Sequence, residues 1–157
     1  MLYPESAGES LDFHLLKGYV AQHAASRKGR VALLAMEPNP VQREVEPALL
    51  QSDELLQLME RGHYFPAVAM AEVDDALPLL RIQNAVLDAE QFMAIKAQAE
   101  SYANGYRFML THEEDAPMLA SRLKPFPPIP EIPQAIDRVL ERNGQVKSNA
   151  SPELSRI

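Results

Sequence analysis

Apolar residues recur at spacings of three and four along most of the chain, which predicts a helical fold. Leu11, Leu15, Leu16, Tyr19 and Val20 share one face of a first helix that Ser10 can cap and that fades near Ala25. Ser26 can cap a second, short helix carrying Val31, Leu33, Leu34 and Met36, stopped by Pro38. Asn39 opens a third helix, with Pro40 at its first position and Gln42 at the capping-box spacing. Val41, Val45, Leu49, Leu55, Leu56 and Met59 then follow the helical period, and Gly62 is placed to end the run in a left-handed turn. Pro47 interrupts it. An interior proline costs about 3 kcal/mol, whereas each buried leucine contributes about 1.5–3 kcal/mol. The leucines outweigh the proline, so the helix should kink at Pro47 or restart there.

His63–Val73 reads as irregular or briefly extended, and Asp74–Ile82 as a short helix interrupted at Pro78. The strongest start signal is Leu87–Phe92: Asp88 caps, Gln91 closes a capping box, and Leu87 can staple onto Phe92. Phe92, Ile95, Ala99, Tyr102, Tyr106 and Met109 follow as a heptad-like seam. It covers fewer than three heptads, which favours packing within the chain over a dimeric coiled coil. Thr111–Pro117 is a solvated loop and Met118–Leu123 a short helix.

Lys124–Pro133 is too rich in proline for regular helix and predicts a stiff connector. Ile132, Ile136, Val139 and Leu140 mark a helix running to Asn143-Gly144, followed by a short extended Gln145–Lys147. Ser151 is a strong cap, with Pro152 at the first helical position and Glu153 in the first turn. Only six residues follow Ser151, fewer than the roughly 12–15 an isolated helix needs. That start predicts a helix continuing in a longer protein. The expectation is an all-α, irregular multi-helix bundle over 1–124, then a Pro-rich connector, a helix and the start of a further long helix over 125–157.

The 157 residues suit one ordinary domain. Fifteen basic against 22 acidic side chains give a net charge of −7, which argues against a general polyanion-binding surface. Absence of cysteine excludes disulfides, thiolate metal sites and cysteine nucleophiles. No apolar run approaches the roughly 18 residues of a membrane span, and the N-terminus is no signal peptide. The chain reads as cytoplasmic, with no membrane partner.

Residue chemistry is sparse. No two glycines are spaced for a phosphate-binding loop, so the chain should not bind ATP in the usual way. His14, His23, His63 and His112 lack metal-ligand spacing. The acidic cluster Glu113-Glu114-Asp115 reads as a charged loop tip rather than a cation site, Asp74-Asp75 beside Glu72 as charge near a helix start, and Ser121–Lys124 as a chance match to a serine–lysine motif. Arg27, Lys28 and Arg30 form the one compact basic cluster and are the candidates for a weak nucleic-acid contact, although no aromatic platform lies beside them. No catalytic, cofactor-binding or metal-ligating residue is assigned.

The last 22 residues carry a resemblance. Ile136-Asp137 on a helix, Gly144-x-Val146 in a turn, and Ser151-Pro152-Glu153-Leu154 at a new helix start, with Arg156 beyond, resemble the MutS family of DNA mismatch-repair ATPases. The version is similar to the second bacterial, recombination-suppressor branch. Ser10–Arg30 is similar to that branch's N-terminal opening, and Val86–Glu100 to its Leu-Ser-x-Glu-Glu-Leu helix, with Asp88 in place of the capping serine. The mismatch-reading domain with its Phe-x-Glu motif has no counterpart here, and Pro47 interrupts a helix the family usually keeps whole.

The resemblance implies the N-terminal half of a core/lever domain: a non-catalytic piece coupling an ATPase carried elsewhere to mismatched or branched DNA, or to a ribosome. It implies a parent that binds ATP and Mg, forms a homodimer, serves DNA recombination control or mismatch repair, and carries an endonuclease domain in some members. This chain itself would hold no cofactor, and its partners would be the remaining domains of the parent. The alternative from the residues alone is a stand-alone helical interaction or dimerisation module using the Phe92–Met109 seam. A small helical enzyme using Glu113–Asp115 is a further alternative.

Overall fold

The first two helices meet as a hairpin, and the reason lies in one cap and one lysine. In the computed structural model, which describes residues 11–39, 41–66, 70–71, 73–151 and 154, α1 spans Phe13–Gln22 and α2 spans Arg27–Leu34. The Ser26 hydroxyl accepts from the Gly29 amide at 3.0 Å, so α2 starts where the sequence places it. Lys17 Nζ donates to the Met36 carbonyl at 2.9 Å and ties the two ends of the hairpin together. Ser10 lies outside the described residues. α1 instead starts after Asp12, which sits in the left-handed region at φ 52° with no side-chain cap.

Among the described residues five further helices follow: α3 (Gln42–Glu60), α4 (Ala76–Leu79), α5 (Ala89–Thr111), α6 (Pro117–Leu123) and α7 (Glu131–Val139). The fold is all-α, with no strand among the described residues. No helix of the described residues is long and apolar enough to cross a membrane. The chain divides into two compact units, Met1–Phe65 with Met109–Pro125, and Pro66–Phe108 with Phe126–Ile157.

In the first unit, α1 packs on α2 and α3 on α6. Leu58 of α3 is fully buried, as are Ala116 and Ala120 around α6. The apolar face expected to bury on α1 does not: Leu11, Leu15, Leu16, Tyr19 and Val20 are exposed, and Ala21 is the buried residue. A partner as short as α2 covers the small side of α1 and leaves the large side to solvent.

Asn39 does not cap α3. Its carboxamide oxygen accepts from the Val41 amide at 2.9 Å and its NH2 donates to Glu44 at 3.0 Å, closing a turn ahead of a helix whose cap position is Val41. Gln42 therefore makes no capping box and bonds Glu46 one turn on, at 2.6 Å. Pro40 lies outside the described residues. The helix runs unbroken through Pro47, so the restart is not adopted. Pro47 stands near the N-terminal end, where its missing amide forfeits one bond, to the Arg43 carbonyl, while the leucines beyond keep their register. Gly62, at φ 84°, ends α3 as expected: its amide reaches the Met59 carbonyl and that of His63 the Leu58 carbonyl, satisfying two terminal acceptors.

In the second unit, the capping box of α5 forms reciprocally. The Gln91 amide donates to Asp88 Oδ1 at 2.8 Å, and the Asp88 amide to Gln91 Oε1 at 3.0 Å. Leu87 is buried and shares one cavity with Phe92, as a staple requires. The buried positions of α5 include Ser101 and Gly105, each one residue before a seam position, Tyr102 or Tyr106. A small side chain disappears under cover that leaves a tyrosine edge exposed. Pro78 falls third in α4, where no helical donor is needed.

α7 departs from expectation at both ends. It begins at Glu131 inside the Pro-rich stretch, since Pro133 sits in the first turn and its missing donor costs nothing there. It ends at Val139 rather than at Asn143-Gly144, because Leu140 becomes extended and bridges Val146 antiparallel. Bonds from the Glu141 amide to the Gln145 carbonyl (2.7 Å) and from the Lys147 amide to the Val139 carbonyl (2.8 Å) close this tight loop over Gly144 at φ 82°.

Candidate functional site

The residues singled out at the C-terminal end converge on one junction. Ile136 and Leu140, both buried, project into a cavity of about 290 Å³ with Leu87, Phe92 and Val146. On the other side of α7, Asp137 pairs with Lys96 of α5, and Lys147 Nζ donates to the Asp137 carbonyl. The Lys96 ammonium is largely enclosed and has Glu100 at 3.8 Å. Its pKa is raised above the usual 10.5, first by the hydrogen bond it donates to Asp137, with the charges of Glu100 and Asp137 adding to it against desolvation and Arg142. Arg142 and Glu141 line the same polar pocket, so three cations there meet three acids. The Lys96–Asp137 pair and the Lys147 bond hold α7 against α5.

Gly144 and Val146 shape the turn that follows, and the Ser151 hydroxyl accepts from the Leu154 amide at 3.2 Å, the bond of a helix start. Pro152, Glu153 and Arg156 lie outside the described residues. Ile136 and Asp137 thus hold α7 against its neighbours, and Gly144 and Val146 shape the turn that follows it.

Arg27, Lys28 and Arg30 are exposed together on the first turn of α2. Cations at the positive end of a helix dipole are unfavourable, by about 0.3–1 kcal/mol each at low salt, so the dipole of α2 does not explain their placement.

Two of the three acids of the loop form ion pairs, Glu113 with Lys124 and Asp115 with Arg61. Ser121 donates to the Met118 carbonyl at 2.8 Å and so is not activated by Lys124. Glu72, beside Asp74-Asp75, lies outside the described residues. Among the described residues no group of three or more His, Asp or Glu could hold a metal.

Two contacts escape sequence reasoning. His63 and His112 stack with ring centroids 4.4 Å apart, next to the Arg61–Asp115 pair. Glu54 of α3 accepts from the amides of Met118 and Leu119, each at 2.9 Å, and so caps α6 from 64 and 65 residues away. No local pattern announces either. The second unit also carries an open apolar groove of about 620 Å³ between Ile95, Tyr102, Phe126 and Ile129, closed at one side by the bond from the Tyr102 hydroxyl to the Phe126 carbonyl.

No family model and no solved structure matches the chain. Curated relatives do. The chain is 24% identical over 151 residues to "Endonuclease MutS2" of Bacillus velezensis and 25% identical over 149 residues to that of Pediococcus pentosaceus. It is 24% identical over 151 residues to "Putative endonuclease MutS2" of Bacillus subtilis. Each match takes in 94% of this chain and 19% of the relative. The chain is thus similar to these MutS2 proteins along nearly its whole length and spans about a fifth of the length of the relatives it matches.

Proposed function

We propose that the chain is a non-catalytic core/lever segment of a MutS-like recombination-suppressor protein, transmitting motion between an ATPase carried on other domains and a bound nucleic acid or ribosome. The observation that carries this reading is the α5–α7–Ser151 junction. Asp137 of the resemblance pairs α7 with α5, and the Ser151 hydroxyl accepts from the Leu154 amide at cap spacing, which supports a lever root here. The similarity to proteins named endonuclease MutS2 supports it. On this reading the parent is a homodimer that binds ATP with Mg and engages mismatched or branched DNA. Arg27, Lys28 and Arg30 are at most auxiliary contacts, and the chain alone is silent as an ATPase.

The test is a chimera in which this chain replaces the matching fifth of the Bacillus subtilis protein. The chimera should hydrolyse ATP and retain the dependence of hydrolysis on branched DNA. Asp137→Ala combined with Gly144→Val in that chimera should keep basal hydrolysis while abolishing the DNA response. A response unchanged by the double substitution would sink the lever reading.

A further inference from the structure

The apolar groove of the second unit takes no part in the lever reading. Its floor is one face of α5, where Ile95, Gln98, Ala99 and Tyr102 stand at helical spacing. Its rim carries Phe126 and Ile129, 67% and 59% exposed, with Pro127 and Pro128 between them. The two prolines fix their own φ, and the Tyr102 hydroxyl pins the segment through its bond to the Phe126 carbonyl at 2.5 Å. The groove is therefore formed before anything enters it, and an occupant has little to order on arrival. Its volume of about 620 Å³ falls within the roughly 300–1,000 Å³ of small-molecule sites.

The lining narrows the chemistry. None of its residues is charged. An ion entering the groove would shed water and meet no counter-charge, a costly exchange. Tyr102 and Phe126 offer ring surfaces for stacking. Gln98 is poorly used: its NH2 reaches only the Met70 sulfur, a weak acceptor, at 3.5 Å, and its oxygen has no partner among the described residues.

We propose that this groove binds an uncharged, flat, mostly apolar ring compound with one hydrogen-bond donor. Its rings lie against Ile95, Ala99 and Phe126, and its donor meets Gln98 Oε1. Nucleotides and fatty-acid carboxylates are excluded by their charge, in a groove without a cation and a chain of net charge −7. The inference is independent of the lever reading, because it uses neither the Lys96–Asp137 pair nor the Ser151 start.

Fluorescence titration of the full chain with N-phenyl-1-naphthylamine tests it. This probe is neutral, carries a single N–H and brightens in apolar surroundings. One saturable site per chain is expected. The same scaffold bearing a sulfonate, 8-anilinonaphthalene-1-sulfonate, should bind at least tenfold more weakly, since its charge finds no partner there. Ala99→Trp fills the floor and should abolish binding of the neutral probe. Gln98→Leu keeps the shape of the groove, removes the acceptor and should weaken binding about fivefold. Amide chemical shifts of the unmodified chain supply a check that needs no variant: the neutral probe should move the signals of Ile95, Tyr102 and Ile129 and leave those of Leu15 and Leu16 on α1 in place. Equal affinity for the two probes would reduce the groove to ordinary exposed apolar surface and overturn the proposal. So would shifts confined to α1 and α2, a Gln98→Leu variant that binds as tightly as the unmodified chain, or one probe per two chains, the stoichiometry of a groove closed by a second copy.

Discussion

α5 and α6 begin in opposite ways. α5 is capped by residues inside its own first turn, Asp88 and Gln91, each bonding the other's amide. α6 has Ala116 at its cap position, with no side-chain bond of its own, and borrows Glu54 from α3. Both solve one problem, the unpaired amides at a helix start. The first solution belongs to the segment and would survive in a peptide. The second exists only after α3 and α6 have packed, so it couples a helix start to the tertiary fold.

Removing each cap separates the two cases. Glu54→Ala should cost most, about 2–3 kcal/mol, because it strips a charged acceptor from two partly buried amides at once. Denaturant unfolding should show that loss, and hydrogen exchange should show α3 and α6 loosening together. Equal protection of α3 in the variant and the parent would break the contrast. Asp88→Ala should cost about 1 kcal/mol, confined in hydrogen exchange to the first turns of α5.

The smallest effect concerns a contact that is distant in sequence yet open to water on its Asp137 side. Lys96 and Asp137 lie 41 residues apart, and pairs of this kind contribute about 1 kcal/mol or less. The lysine's folded pKa is raised, so its contribution is fully present below about 10.5 and lost as pH climbs through the higher folded value. Thermal melts of the chain and of Lys96→Met should differ by a constant amount well below 10.5 and converge as pH rises through the lysine's raised folded value. A difference that persists there would assign the stabilisation to packing of the lysine stem.

Set beside each other, these three contacts separate what is legible in the sequence from what is not. The Asp88–Gln91 box, the Ser26 cap and the Gly62 terminator each use residues within three or four positions, and the structure forms all three, while the Ser151 hydroxyl makes a cap-spaced bond to the Leu154 amide. Asn39 has the makings of another cap, but its carboxamide is satisfied by a turn two residues on, and propensity cannot choose between those bonds. The end of α7 escapes local reading because the competing bond comes from Lys147, eight residues past Val139. At the candidate site, the identities of Ile136, Asp137, Gly144 and Val146 are readable. What each of them holds is not, since Lys96 and Leu87 sit on or beside another helix.

The sequence by itself determined that this protein is helical and where α2 and α5 start, because the backbone amides there are answered by side chains a few bonds away. Only the tertiary structure decided which faces are covered. Burial depends on what stands opposite, so the leucines of α1 obey the helical period and still face water, while Leu58 of α3 is sealed. It also decided that Glu54 serves a helix 64 residues distant and that Asp137 answers Lys96, since a charge selects its partner by proximity in space.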